Sequence, residues 1–222
     1  MSVTDLLNAN FVLEEVDSPI NGHIQVIKDL VWGIQIKIGG LTQSGGVVKS
    51  VWKTTLRYLL SKGFVPKKCL ILGLGGGSAA QLVRNFWKES EIVGVDVDPI
   101  IVQLGKKYLK LDAVLAKMVI DDGLSFCRSS LEKGVIYDLI LVDMYVGDKY
   151  PQKFESIDFV KLVEKLLSPK GVVIFNRLYY GEKRIDAYIF SKILESVFKN
   201  VSYIYPEANI MFVCSNFDSS NK

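Results

Sequence analysis

The ten residues Cys69-Leu-Ile-Leu-Gly-Leu-Gly-Gly-Gly-Ser78 constrain this chain more than any others. Cys69 to Leu72 form an unbroken apolar run, as a strand buried on both faces requires. Glycines at 73, 75, 76 and 77 follow at once, and then an amphipathic segment with Ala79, Leu82, Val83 and Phe86 on one side. Glycine lets the backbone turn sharply and approach a ligand that a side chain would hold off. Strand, glycine turn, helix is how an open parallel sheet receives a nucleotide-like molecule. Alone, the pattern fits a tight strand-to-helix turn equally well, so the residues downstream decide.

From Lys67 onward, strand-like and helix-like periods alternate. Strands are expected near 68–72, 91–96, 117–120, 137–142, 171–176, 199–205 and 209–215, and helices near 78–88, 98–109, 122–131, 156–167 and 183–197. This alternation predicts an α/β fold of Rossmann-like type, with a seven-stranded, mainly parallel sheet covered on both faces. Only Pro206-Glu-Ala-Asn209 separates the last two strands, so they form a hairpin and the final strand runs antiparallel. The first part of the chain reads differently. Strands over 11–16, 23–28, 33–38 and 41–43 are punctuated by Ser18-Pro-Ile-Asn-Gly22, Gly39-Gly40 and Gly45-Gly46, which makes a small antiparallel β unit. A helix over 50–61, with Val51, Thr55, Tyr58 and Leu59 on one face, leads to Pro66 and the first parallel strand. The chain divides into an N-terminal β unit over 1–48 and a nucleoside-binding catalytic domain over 49–222, with a polar tail that frays from Ser215.

Composition narrows the function classes. With 222 residues, 49% of them hydrophobic, the chain can bury one sizeable core and carry a small appendage. Twenty-seven Lys and Arg against 24 Asp and Glu leave a net charge of +3, too mild to point to nucleic acid. Cysteines 69, 127 and 214 show neither disulfide nor zinc spacing. Met1 to Asn10 lacks the features of a secretory signal, and no apolar run approaches membrane-spanning length, so a cytoplasmic setting is expected. His23 is the only histidine and lies in the β unit, which argues against a Ser-His-Asp triad or a histidine metal cluster at the crevice. Trp32, Trp52 and Trp87 read as core or interface residues, which leaves a homo-oligomer open.

Carboxylates stand where the strands stop. Asp96 and Asp98 close one strand, Asp121 and Asp122 the next, and Asp143 follows Leu139-Ile-Leu-Val142. Ligands of open parallel sheets sit outside these carboxyl ends, at the switch in strand order. Asp also caps helices well, and Asp98 before Pro99 reads as a cap. One of Asp121 and Asp122 caps while the other binds, whereas Asp96 and Asp143 read as ligand contacts. A dinucleotide remains the alternative, with Asp96 on a ribose. Several carboxylates around one crevice would repel its pyrophosphate but suit a cationic sulfonium nucleoside.

Together these residues resemble the spermidine synthase-like proteins (polyamine aminopropyltransferases) within the class I methyltransferase fold. The similarity runs from about His23 to Cys214, through Leu70-Ile-Leu-Gly-Leu-Gly-Gly-Gly-Ser-Ala79, Val93-Gly-Val-Asp-Val-Asp-Pro99, Asp122-Gly123 and Tyr137-Asp-Leu-Ile-Leu-Val-Asp143. The resemblance implies S-adenosylmethionine or its decarboxylated form as co-substrate, no metal, and a small amine acceptor. It implies that Asp96 holds the ribose, Asp122 the adenine amino group, and that Gly73, Gly75 and Gly77 shape the turn. Gln43 corresponds to the glutamine that reaches the co-substrate from the β unit, and Asp143 to the family's proton acceptor and amine contact.

The departures from the family bear on the reaction. An aspartate that holds the amino group of the decarboxylated co-substrate is Gly76 here, a second loop aspartate is Val146, and a tyrosine is Trp52. Trp52, Tyr145 and Asp148 are then the residues left to meet the acceptor, although Lys149 favours an outward Asp148. The loop 144–155 reads either as a lid or as a surface connection in which Tyr145 and Tyr150 pack. The expected function is transfer of an aminopropyl or methyl group. A non-catalytic nucleoside-binding or protein-binding member of the family is the rival, and an NAD-dependent enzyme the third reading.

Overall fold

A computed structural model describes residues 11–217. The reading of Met1 to Asn10, and the tail beyond Phe217, lie outside the described residues. Strands β1 (Phe11–Ser18), β2 (Gly22–Asp29), β3 (Gly33–Ile38) and β4 (Leu41–Gly45) form an antiparallel sheet in chain order. Helix α1 (Gly46–Ser61) leads to the main sheet, in which β5 (Lys68–Leu72), β6 (Glu91–Asp96), β7 (Lys117–Ile120), β8 (Tyr137–Val142) and β9 (Leu167–Leu178) are parallel. Between them run α2 (Ser78–Phe86), α3 (Pro99–Leu109), α4 (Gly123–Glu132) and α5 (Ile157–Lys165). Helix α6 (Lys183–Val197) precedes β10 (Asn200–Ile204), and β11 (Asn209–Ser215) inserts antiparallel between β10 and β9. The seven-stranded order is β10-β11-β9-β8-β5-β6-β7. The chain therefore moves outward from β5 to β7 and returns to place β8 on β5's other side, which puts the topological switch between β5 and β8.

The sheet alternates between two apolar layers. Cys69, Ile71, Leu139, Leu141, Val172 and Ile174 face one, and Leu70, Leu72, Ile140, Val142, Val173 and Phe175 the other. Ile24, Val26, Ile36 and Ile38 of the small sheet belong to the first layer together with Trp52, Leu74 and Leu104, so the small sheet has no separate core.

Local differences from the expected elements have physical causes. Helices α3 and α4 each begin one residue late because Asp98 and Asp122 are their N-caps. Helix α1 starts at Gly46 and runs through the division drawn after residue 48. Strand β9 begins at Leu167, where Tyr137 pairs with Leu167 but Leu139 pairs with Val172, so residues 168–171 bulge away. Pro169, which has no N–H for a ladder, sits in that excursion.

The fully buried Asp98 fastens the small sheet to the large one. One oxygen takes the Ile100 N–H at 2.8 Å as the cap of α3. The other accepts from the Ser18 hydroxyl and, at 2.6 Å, from the Asn21 amide. Asp98→Ala removes the cap and strands the buried Ser18 hydroxyl and the half-buried Asn21 amide, which together cost about 2–4 kcal/mol. Urea unfolding should show a loss of about 2–4 kcal/mol; a loss under about 0.5 kcal/mol would mean that the tie contributes nothing.

Candidate functional site

The site lies over the carboxyl ends of β5, β6, β7 and β8. Gly73, just after β5, has φ 83°, and a Cβ there would lie 1.9 Å from the Asp143 carbonyl oxygen. Only glycine permits that approach. The Gly73 and Leu74 N–H groups both donate to the Val95 carbonyl, at 2.9 and 3.0 Å, and the Asp143 N–H donates to Leu72 at 2.8 Å. The turn is thus sewn to both neighbouring strands, and a cavity walled by Gly73, Gly75, Asp96 and Asp143 opens above it.

Asp96 supports the turn from β6. Its oxygens accept the Gly75 N–H at 2.6 Å and the Asp98 N–H at 2.9 Å. Burial raises its pKa, although both backbone bonds pull the other way. A carboxylate has about four acceptor sites, so lone pairs remain for a ribose. Asp143 is held more firmly. Trp52 Nε1 donates to one oxygen at 3.1 Å and Asn176 Nδ2 to the other at 2.9 Å. Asn209 in turn donates to the Asn176 oxygen at 2.8 Å, which fixes the orientation of that amide. Burial pushes the Asp143 carboxyl up to about 6; the two hydrogen bonds oppose this and the charge of Asp96 adds to it.

Asp121 and Asp122 both line the cavity. Asp122 is the cap, accepting the Leu124 and Ser125 N–H groups at 3.1 and 3.2 Å, and its second oxygen pairs with Lys153. Burial would raise Asp122, but Lys153 and the capped N–H groups outweigh it and hold the group below its ordinary value. Of the pair, one was expected to cap and the other to bind; Asp122 is the cap, and Asp121 is the more exposed carboxylate at the rim.

The small sheet forms the roof. Gln43 lines the cavity and donates to the Gly147 carbonyl at 3.0 Å, tying β4 to the loop after β8. Ser44 accepts the Gly76 N–H, and Ser78 accepts the Gly45 N–H, both at 2.7 Å. A Cβ on Gly76 would lie 2.7 Å from Ile36 and 2.9 Å from both Leu109 and the Ser44 Cβ, so the volume a side chain would need there is filled. Residues Met144, Tyr145, Val146, Pro151 and Phe154 of the loop wall the cavity, so it stands over the crevice rather than beside it. Tyr145 and Tyr150 also pack edge-to-face, with centroids 4.9 Å apart.

Two residues left to meet the acceptor lie off the cavity wall. Trp52, expected to touch the acceptor, is buried and absent from the cavity wall, because α1 directs its indole beneath Asp143. Its role is to position that carboxylate. Asp148 is exposed and off the cavity, as Lys149 beside it favoured; the Val146–Lys149 turn carries it outward, and among the described residues its carbonyl is engaged by Lys183 at 3.0 Å. Gly77 shapes the turn without lining the cavity: it caps α2 at φ 88°, and a Cβ there would strike Leu111 at 2.3 Å. Asn176, Asn209, Ser44 and Asn21 were not singled out in the sequence, since no local motif marks them. Alternation along β9 does place Asn176 on the face of Ile174, and that was the available signal.

Two outcomes follow from this geometry. The Asp143 pKa of about 6 lies above the ordinary 3.8, so the folded chain binds that proton more tightly than the unfolded chain. The cost of the charged form is fully present above about pH 6 and is relieved as pH falls towards the ordinary value. Wild-type stability should therefore rise relative to Asp143→Asn between pH 7 and pH 4 in urea titrations; parallel profiles would contradict the assignment. Asp148→Asn should change neither unfolding free energy nor ligand-binding free energy by more than about 0.5 kcal/mol, and a loss of amine binding like that of Asp143→Asn would show that Asp148 turns inward.

The described residues contain no helix long and apolar enough to cross a membrane. The model of the spermine/spermidine synthase domain matches residues 58–214, more than half of the chain. The polyamine aminopropyltransferase of Vibrio vulnificus is 30% identical over 112 residues, 50% of this chain and 38% of that protein. An eEF1A lysine and N-terminal methyltransferase homolog of Drosophila pseudoobscura is 29% identical over 161 residues, 68% of this chain and 24% of its own length. The chain thus spans well under half the length of these two relatives. Spermidine synthase from Thermotoga maritima shares the fold, with a TM-score of 0.74 at 18% identity over 95% of this chain and 79% of that one. The matched segment takes in the glycine turn, Asp96, Asp122 and Asp143, and the chain belongs to the spermine/spermidine synthase family.

Proposed function

We propose that this chain is a transferase that moves an alkyl group from a sulfonium nucleoside of the S-adenosylmethionine type to the nitrogen of a small acceptor. The observation that carries the reading is Asp143, fixed at the crevice by Trp52 and Asn176 with its carboxyl pushed up to about 6. In-line attack on carbon needs a neutral amine, and alkyl ammonium groups lose their proton only near ~10. A carboxylate more basic than an ordinary aspartate is the better proton acceptor, directly or through water. Asp96 and Asp121 add negative charge around the cavity and would favour a cationic co-substrate over a pyrophosphate. Once an ammonium binds, its charge lowers the Asp143 pKa, so binding and deprotonation oppose each other and positioning supplies much of the rate.

The residues present fit such a nucleoside. The glycine turn is free of side chains where the ligand would approach, and Asp96 keeps lone pairs for a ribose. Gly76 favours methyl transfer from S-adenosylmethionine over aminopropyl transfer. Ile36, Leu109 and Ser44 fill the space that the family's amine-holding aspartate would need. A cytoplasmic setting belongs to the same proposal and agrees with three buried free cysteines.

Calorimetric titration with S-adenosylmethionine, its decarboxylated form, methylthioadenosine and NAD tests the co-substrate. Sulfonium nucleosides should bind, and Asp96→Ala should weaken them by ~1–3 kcal/mol. Mass spectrometry of products across a panel of amines should then show turnover that disappears in Asp143→Asn while nucleoside binding remains. Tight NAD binding with no sulfonium nucleoside bound would overturn the proposal.

A further inference from the structure

Strand β9 sends consecutive side chains to opposite faces. Asn176 goes to Asp143, and Arg177 goes to the other layer. There Arg177 is 2% exposed. Its Nη2 pairs with Glu155, and its planar guanidinium lies 4.0 Å from the Tyr150 ring centroid and 4.8 Å from that of Phe190. The remaining donors, Nε and Nη1, have no partner among the described residues, and neither does the buried Tyr150 hydroxyl. Buried donors left unpaired cost ~1–3 kcal/mol each, so their clustering calls for an acceptor.

A second cavity of about 340 Å³ adjoins this cluster, a volume suited to a small ligand. Arg177, Lys149 and Lys183 stand on its wall against Glu155 and Asp186, and Glu155 is already paired with Arg177. Tyr145 lines this cavity and the first one, and so forms the partition between them. A molecule whose amine lies at Asp143 would extend past Tyr145 towards these cations. A diamine's far ammonium would be repelled there, whereas a carboxylate oxygen would meet an unpaired, charged N–H of Arg177.

We propose that the second cavity takes the carboxylate of the acceptor, with Arg177 and Tyr150 as donors, so that the acceptor is an amino acid rather than a diamine. The place of the amine rests on the transfer reading above; the anion site does not.

Ornithine and putrescine differ by one carboxylate and serve as the probes, with inorganic phosphate alongside, all at constant ionic strength. Ornithine should raise the melting temperature saturably and putrescine should not at equal concentration. Tyr150→Phe loses no hydrogen bond within the described residues, so its melting temperature without ligand should match the wild type while its ornithine affinity falls about five- to tenfold. Arg177→Lys should abolish the ornithine preference; if that variant fails to fold, Tyr150→Phe carries the test. Equal effects of ornithine and putrescine, unchanged ornithine affinity in Tyr150→Phe, or stabilisation by phosphate with no preference for ornithine would each overturn the assignment. Wild-type chain that prefers ornithine but binds no sulfonium nucleoside defeats the transfer reading alone. Chain that binds the nucleoside without preferring ornithine defeats the carboxylate assignment alone.

Discussion

The site depends on one close approach, that of the Gly73 backbone to the Asp143 carbonyl, where a Cβ would be left 1.9 Å from the oxygen. Because β5 and β8 meet there, the glycine turn and the Asp143 side chain open into the same cavity. The same contact explains why Asp143 is so deeply set. A carboxylate at the closed end of two central parallel strands has apolar layers around it, and desolvation outweighs the bonds from Trp52 and Asn176. A side chain at position 73 would force the strand ends apart and release turn and carboxylate together.

The small sheet is joined to this centre by polar contacts rather than by packing alone. Asp98 takes Ser18 and Asn21, Ser44 and Gly45 exchange bonds with Gly76 and Ser78, and Gln43 holds the loop after β8. Each bond satisfies a group in a turn or at a helix start that lacks a ladder partner. The roof therefore closes over the turn without side chains from the turn itself, and this is why Gly76 has no free volume above it. Packing adds to the same tie, because Ile24, Val26, Ile36 and Ile38 complete one face of the main core.

What was legible in the sequence was local. Apolar runs of period two and amphipathic runs of period 3.6 located the strands and helices, and the lone Pro206-to-Asn209 connection revealed the terminal hairpin. Carboxylates at strand ends could be placed at the crevice because parallel topology puts all those ends on one side. The partners of those carboxylates were hidden by sequence separation: Trp52 lies 91 residues from Asp143, and Asn176 lies 33 from it. Asp148 was legible in part, since Lys149 beside it already favoured an outward side chain. Its nearness to Asp143 in sequence suggested a shared pocket, but a turn of four residues reverses direction and carries the side chain to solvent. The early start of β9 was equally unreadable, since a proline and a glycine precede Val172 and only long-range pairing with Tyr137 draws Leu167 into the sheet.

The alternation of β9 also links two cavities of opposite charge. Asn176 and Arg177 are neighbours in the chain but face opposite layers, so one strand end serves an anionic cavity and a cationic one. Tyr145 lines both cavities, its ring packed edge-to-face on Tyr150, which lies against the guanidinium. Tyr145 is itself anchored, its hydroxyl accepting the Leu178 N–H at 2.7 Å, so the partition is fastened to the strand that carries both groups. Its side-chain hydroxyl thus meets the backbone, while its ring separates the charges. Any ligand that spans both cavities must pass that ring, and its two ends will be sorted by charge: the cationic end towards Asp143 and the anionic end towards Arg177.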